Sequence, residues 1–135
     1  TLTAGAINRA GAVASVIGSA YTNSVAVATS TALYNLDETS DQLTLQNPPN
    51  DGTQVNVGAL GLDVATAAGF DIAGGGNGVA LAALRNGAAG PFTLYSVALA
   101  SGATTLYRNT SGNAAVSQIG GAAGPVNLID LAVRF

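Results

Sequence analysis

Residues 69–87 read GFDIAGGGNGVALAALRNG, with a cluster of glycines between two apolar runs. A dinucleotide-binding loop needs glycines at its first, third and sixth positions, a following helix, and an acidic residue about 20 positions later. Counted from Gly74, the sixth position is Val79, and no acid follows until Asp130. A P-loop needs a lysine, which this chain lacks. We therefore predict a hairpin turn, because glycine accepts the positive φ of tight turns.

Short runs rich in Val, Leu, Thr and Tyr recur along the chain, separated by clusters of Gly, Asn, Asp, Pro and Ser. This alternation is typical of many short strands joined by turns. Helix signals are poor, since the best candidate, residues 79–85, lies between glycines. The pattern predicts strands near 12–17, 24–28, 31–36, 42–46, 53–57, 69–73, 78–84, 92–97, 104–108, 115–119 and 127–134.

An internal repeat supports an all-β fold. The segment TALYNL at 31–36 recurs as FTLYSV at 92–97, so that Leu33 and Leu94 are 61 residues apart. In the same register Thr44 and Leu45 match Thr105 and Leu106. Each unit is long enough for about four strands, the size of a propeller blade or half a sandwich. We predict short antiparallel strands in propeller-blade-like or sandwich sheets, in one domain at 18–135 with imperfect repeats at 18–73 and 78–135.

Charged residues make up only 8% of the 135 residues, with four Arg, no Lys and a net charge of -3. Ordinary soluble domains contain roughly a quarter. An acidic chain cannot release the counterions that drive phosphate-backbone binding, so we expect no nucleic-acid partner. The lack of a basic patch argues against a charged membrane surface, and no apolar run reaches the roughly 18 residues of a membrane span, so we expect no membrane insertion.

Five short segments stand out from the strand pattern: SAYTN (19–23), TALYNLD (31–37), LQNPPNDGT (45–53), VGALG (57–61) and GFDI (69–72). They resemble the signature segments of a bacterial secreted family called domain of unknown function 4394, and QNPPNDGT is the most specific of them. The resemblance covers the chain from about residue 15 onward and matches the C-terminal part of the longer family domain. It implies an all-β, propeller-like protein that is extracellular or at the cell surface, and it carries over no catalytic residue.

The chain has no Cys, His, Met or Trp, which removes thiolate and imidazole chemistry. Nucleophilic catalysis would need a base, and only carboxylates remain, so we expect no enzyme. The alternative is a glycosidase with a pair of catalytic carboxylates, either Asp63 with Asp71 or Asp37 with Asp41. Calcium is the one cofactor considered, and its candidate ligands are Asp37, Asp41 and Asp51. The sequence Asn109-Thr110-Ser111 matches the N-glycosylation pattern.

The residues from Ala10 through Leu36 carry no charge. Soluble monomers protect exposed strand edges with lysine, inward charges or proline, and this chain has little of that protection. Residues 1–17 therefore form a candidate donor strand that adds to the sheet of a neighbouring copy. We expect an extracellular structural subunit that assembles with copies of itself into a filament or surface layer, or alternatively a secreted propeller-like binding module for calcium or glycans. The residues expected to carry the assembly contact are Ala12, Val13, Val16 and Ile17.

Overall fold

The structure of the chain is a computed structural model that describes residues 6–9, 12–65, 69–75, 78–108, 119 and 130–133. Within these residues the regular elements are strands, apart from a 3-10 helix at Pro49–Asp51. This confirms the predicted all-β fold. The strands are β1 (Asn8–Arg9), β2 (Ala12–Val13), β3 (Val16–Tyr21), β4 (Leu33–Asp37), β5 (Gln42–Gln46), β6 (Gln54–Ala59), β7 (Gly69–Ile72), β8 (Ala80–Leu84), β9 (Thr93–Val97) and β10 (Thr104–Leu106).

The described strands form three antiparallel sheets. The first sheet has the order β3-β4-β5-β6 and the second has the order β10-β9-β8-β7, so each is a meander in which neighbours in sequence are neighbours in space. β1 and β2 form a two-stranded sheet. Short turns suffice for such connections, which explains why Gly, Asn, Asp and Ser punctuate the sequence so often.

Gly74, Gly75 and Gly78 lie between β7 and β8, which form a hairpin. β7 pairs with β8 in the register Phe70↔Ala82, and the Ala73 amide donates to the Val79 carbonyl at 2.8 Å. Gly75 and Gly78 have φ of 75° and 61°, values that only glycine adopts without strain. The prediction of a turn in place of a phosphate-binding loop is confirmed.

The apolar faces of the two large sheets pack together and form the core. Leu36 and Leu43 from the first sheet are fully buried, as are Ala82 and Leu84 from the second. β3 and β7 are in contact along one edge of this pair of sheets. On the opposite side, the Thr104 hydroxyl donates to the Leu60 carbonyl at 2.7 Å, so the two sheets are connected at both edges.

The sequence repeat is also a structural repeat. In each sheet the repeated segment forms an interior strand, β4 or β9, and pairs with the strand that follows it. The repeats and the sheets do not coincide throughout. β7 belongs to the first repeat, 18–73, but it pairs with β8 in the second sheet. The equivalent cross-strand pairs are Tyr34↔Leu45 with Tyr95↔Leu106, and Asn35↔Thr44 with Ser96↔Thr105.

Two strand predictions were wrong. Residues 24–28 form a bend and a turn in an exposed loop, where the positive φ of Val27 is incompatible with an extended strand. The predicted strand at 12–17 is divided into β2 and β3 by Ala14 and Ser15. Most of the segments at 115–119 and 127–134 lies outside the described residues, and residues 130–133 form no strand. In the described part of the chain, no helix is long and apolar enough to cross a membrane.

Candidate functional site

The first sheet has a second face that is polar and nevertheless buried. Its side chains form hydrogen bonds across the strands: Ser19 Oγ donates to Asn35 Oδ1 at 2.6 Å, and Asn35 Nδ2 donates to Gln46 Oε1 at 3.0 Å. Thr44 Oγ1 donates to Gln54 Oε1 at 2.6 Å. Something must cover a face whose side chains are this inaccessible to water. We call this the polar face, and its buried members are Asn35, Asp37, Thr44, Gln46 and Gln54.

The N-terminal residues 6–9 and 12–13, which we call the N-terminal arm, are tied to the first sheet. Arg9 Nη1 lies 2.6 Å from Asp37 Oδ2, and the Asp37 side chain is completely buried. The other oxygen of Asp37 accepts from the amides of Ser15 at 3.3 Å and Thr39 at 2.9 Å. Asp37 therefore holds the arm and the start of β3 at the same time.

The loop QNPPNDGT receives the other side of the arm. Its chain passes through a cis Asn47-Pro48 peptide bond and the 3-10 helix, and ends at Gly52 with a φ of 71°. The amide of Asn8 donates to the carbonyl of Gly52 at 2.9 Å, and Asn8 forms a parallel bridge with Thr53. The most specific sequence segment of the chain is thus a contact surface for the arm.

The four residues expected to carry assembly fall into two groups. Ala12 and Val13 lie in β2 at the surface, where Val13 is 81% exposed. Val16 and Ile17 lie in β3, which pairs with β4 of the same chain, and Ile17 packs against the core. The expected boundary at residue 17 therefore falls inside β3, and the residues that a neighbour can reach are those of β2.

Apolar side chains are exposed on strands elsewhere as well. Val55 in β6 is 57% exposed and Leu106 in β10 is 38% exposed. Among the described strands, β6 and β10 each lie at one edge of a large sheet, and these two edges meet at Leu60 and Thr104. Neither strand contains a charged residue. These edges therefore lack the charges that usually prevent edge-to-edge pairing.

The three candidate calcium ligands have different structural roles. Asp37 binds the arm, whereas Asp41 Oδ1 accepts from the Val64 amide at 2.8 Å, and Asp51 ends the exposed 3-10 helix. Within the described ranges, no three acidic side chains come together as a metal site. Of the alternative glycosidase pair, Asp71 accepts backbone amides with both oxygens, from Ile72 and Val133. Asn109, the candidate glycosylation site, lies outside the described residues.

A cleft of about 340 Å³ opens where the β3–β4 and β7–β8 loops meet. It offers an aromatic ring from Tyr34, polar side chains from Thr22 and Asn23, and apolar walls from Ile72 and Leu99. This is the lower end of the size range for small-molecule sites. The cleft combines hydrogen-bonding groups with an apolar surface, which is the chemistry that a hydroxylated ligand requires.

Sequence reasoning missed two residues of the contact between the arm and the first sheet, namely Arg9 and Thr53. Arg9 and Asp37 are 28 positions apart, and no periodic pattern connects them. One signal was present, since Arg9 is the only charged residue before Asp37. A single cation in a long uncharged segment is a candidate for an ion pair with a buried carboxylate.

Comparison with known proteins gives one match. The model of a family described as Domain of unknown function (DUF4394) matches residues 1–120. The match begins earlier than the resemblance noted from about residue 15, so it includes the N-terminal arm. No curated protein and no solved structure matches the chain.

Proposed function

The chain belongs to the DUF4394 family, and we propose that it is an extracellular structural subunit that assembles with copies of itself by strand addition. The family description names no activity, so the proposal is built from the surface of this chain. It includes no catalysis and no nucleic-acid partner, in keeping with an acidic chain that lacks His, Cys and Lys. The expected product is a filament or a surface layer.

The exposure of Val13 is the observation that carries the proposal. Val13 is 81% exposed, and β2 has β1 as its one neighbour among the described strands, so apolar surface and one strand edge are left open. Val55 and Leu106 likewise expose apolar surface, on edge strands of the large sheets. Addition of a strand from another copy would pair the backbone groups, and each Å² of apolar surface buried would contribute about 25 cal/mol.

The scarcity of charge supports the same proposal. Soluble monomers use charged side chains to keep their sheets apart, and 8% charged residues leaves this chain with few of them. Repulsion between copies would be small because the net charge of -3 is spread over 135 residues. The absence of Cys and Met would also protect an extracellular polymer from thiol and thioether oxidation.

The proposed architecture of the subunit is propeller-like. Each large sheet is a four-stranded meander, and the sheets face each other with β3 beside β7. Blades of a propeller are sheets of this size packed face to face. In such an arrangement the outward faces of the first and last blade require cover, which a neighbouring copy can supply.

A charge placed on β2 tests the proposal. Val13→Lys should prevent assembly, because a lysine on an exposed strand obstructs the approach of another strand. Val27→Lys is the matched control, since Val27 is 96% exposed in the β3–β4 loop and undergoes the same change of side chain and charge. Light scattering on purified protein should show large particles for wild type and Val27→Lys only. Equal assembly of the two variants would contradict a role for β2.

The cleft supports a second candidate function, a secreted module that binds glycans. Tyr34 can lie against a sugar ring while Thr22 and Asn23 meet its hydroxyls. Calcium is less favoured, since the described acidic side chains do not converge. Titration with oligosaccharides, followed by the NMR resonances of these residues, tests the candidate. Shifts that disappear in Tyr34→Ala would support it, and unchanged spectra at high sugar concentration would contradict it.

A further inference from the structure

Among the described residues, Asn8 and Arg9 hold the N-terminal arm on the rest of the chain. Asn8 binds Gly52 and bridges to Thr53, and Arg9 pairs with Asp37. Other hydrogen bonds are internal to the arm, including the pairing of β1 with β2 and the bond from Asn8 Nδ2 to the Ala6 carbonyl at 3.0 Å. The arm can therefore leave its site as a unit without losing its own pairing.

The docked arm satisfies its polar groups but not its apolar ones. Ile7 remains 49% exposed and Val13 remains 81% exposed while Arg9 is paired. Docking on its own chain therefore leaves about half of Ile7 and most of Val13 in contact with water. Contact with a second copy would bury them, and the hydrophobic effect would favour that arrangement.

The site that the arm leaves contains one half of an ion pair. With the arm docked, the carboxylate of Asp37 is completely buried, and Arg9 Nη1 lies 2.6 Å from it. Departure of the arm breaks this ion pair at a stability cost, and the arginine of another copy can restore it. The arrangement thus favours exchange over simple release.

The structure also locates the hinge. Ser15 stays with its own sheet, because its hydroxyl donates to Glu38 Oε1 at 2.7 Å and its carbonyl accepts from the Glu38 amide at 3.0 Å. β3 begins at the next residue. Ala14 is therefore the residue between the anchored part and the arm, and rotation of its backbone would redirect the arm to a neighbour.

From these contacts we infer that the N-terminal arm is exchanged between copies, so that Arg9 of one copy pairs with Asp37 of the next and Asn8 docks on the Gly52–Thr53 segment of that copy. This inference rests on the proposed self-assembly and names the surface that carries it. Every contact of the closed chain is kept in the exchanged one, which is why such swapping costs little. Each copy gives one arm and receives one, so copies can link head to tail.

Cysteine pairs test the exchange cleanly, because the chain has no cysteine of its own. Asn8 and Thr53 are paired in a β-bridge, where Cα atoms lie within the range of a disulfide. Asn8→Cys and Thr53→Cys are made separately, mixed, allowed to assemble and oxidised. The expected product is a covalent dimer, at least about tenfold more abundant than in a mixture of Val27→Cys with Thr53→Cys, because docked residues have a high effective concentration.

The double variant Asn8→Cys/Thr53→Cys supplies the opposite test. Oxidised as a dilute monomer, it locks the arm onto its own chain and should not assemble until a reductant opens the disulfide. Assembly of the oxidised double variant to the wild-type extent, or assembled mixtures without covalent dimers, would overturn the exchange and leave the proposed self-assembly standing. A wild-type chain that stays monomeric in light scattering would overturn both.

Discussion

Val27 has a backbone conformation that its β-branched side chain disfavours. Its φ is 61°, in the left-handed region that β-branched residues avoid, and its side chain is 96% exposed. Asn23 and Asp41 also have positive φ, of 53° and 54°, but their short polar side chains tolerate it. No contact compensates for an exposed valine in this conformation, so its strain reduces the stability of the fold.

We expect Val27→Asn to stabilise the protein. Relief of the left-handed strain should raise the free energy of unfolding by about 1 kcal/mol, because asparagine is among the residues found most often in this conformation. Urea denaturation gives the measurement. Asn23→Val is the reverse control and should lose stability, since it introduces the strain and removes the bond from Asn23 Nδ2 to the Ser30 carbonyl. A less stable Val27→Asn would contradict this account.

At the scale of the strand, the sequence predicted best where local chemistry decides the structure. β5 matches its predicted range of 42–46, because QLTLQ alternates and Asp41 ends the preceding turn. The loop around Val27 has the composition of a strand and is not one, since strand preference depends on a neighbouring strand. The break at Ser15 was also missed, because distant residues, Asp37 and Glu38, produce it.

The same reasoning applies to the candidate site. The exposure of Val13 on an apolar, uncharged segment could be anticipated from composition, whereas its role in assembly stays a prediction. The docking site of the arm could not be anticipated, because it combines Asp37 with the Gly52–Thr53 segment, which only the folded sheet brings together. Sequence patterns identify segments with unprotected strand edges. They do not identify which part of the folded chain covers a face of the sheet.

The polar face between β4 and β6 gives a prediction about paired hydrogen bonds. Thr44→Val should cost about 1 to 3 kcal/mol, because it leaves buried Gln54 Oε1 without its donor. Among the described residues, Gln54 Nε2 has no hydrogen-bond partner, so replacing the whole side chain is less harmful. Adding Gln54→Leu should recover most of the loss in urea denaturation. Costs that simply add in the double variant would show that the two residues are independent.

The contact between β6 and the β9–β10 turn gives a second prediction at this scale. A Cβ on Gly58 would lie 2.1 Å from the carbonyl oxygen of Ser101, so the two segments approach as closely as glycine permits. Gly58→Ala should lower the free energy of unfolding by about 1 to 3 kcal/mol through overpacking. Thermal unfolding measures it. A variant as stable as wild type would contradict this close approach of β6 to the β9–β10 turn.

The whole molecule combines a well-packed centre with unprotected edges. Two antiparallel sheets share one apolar core, whereas β2, β6 and β10 expose valine and leucine and contain no charged residue. The core explains how the chain folds, and the edges explain why we propose that it does not remain alone. The arm connects these two levels, because Arg9 pairs with Asp37 on the polar face of the first sheet while Val13 stays exposed.

Sedimentation velocity of the wild-type chain across a wide concentration series tests self-association most directly. The account predicts an average mass that rises above the 13.1 kDa of one chain as concentration increases, with large species at the upper end. An average mass that remains at 13.1 kDa throughout the series would contradict it.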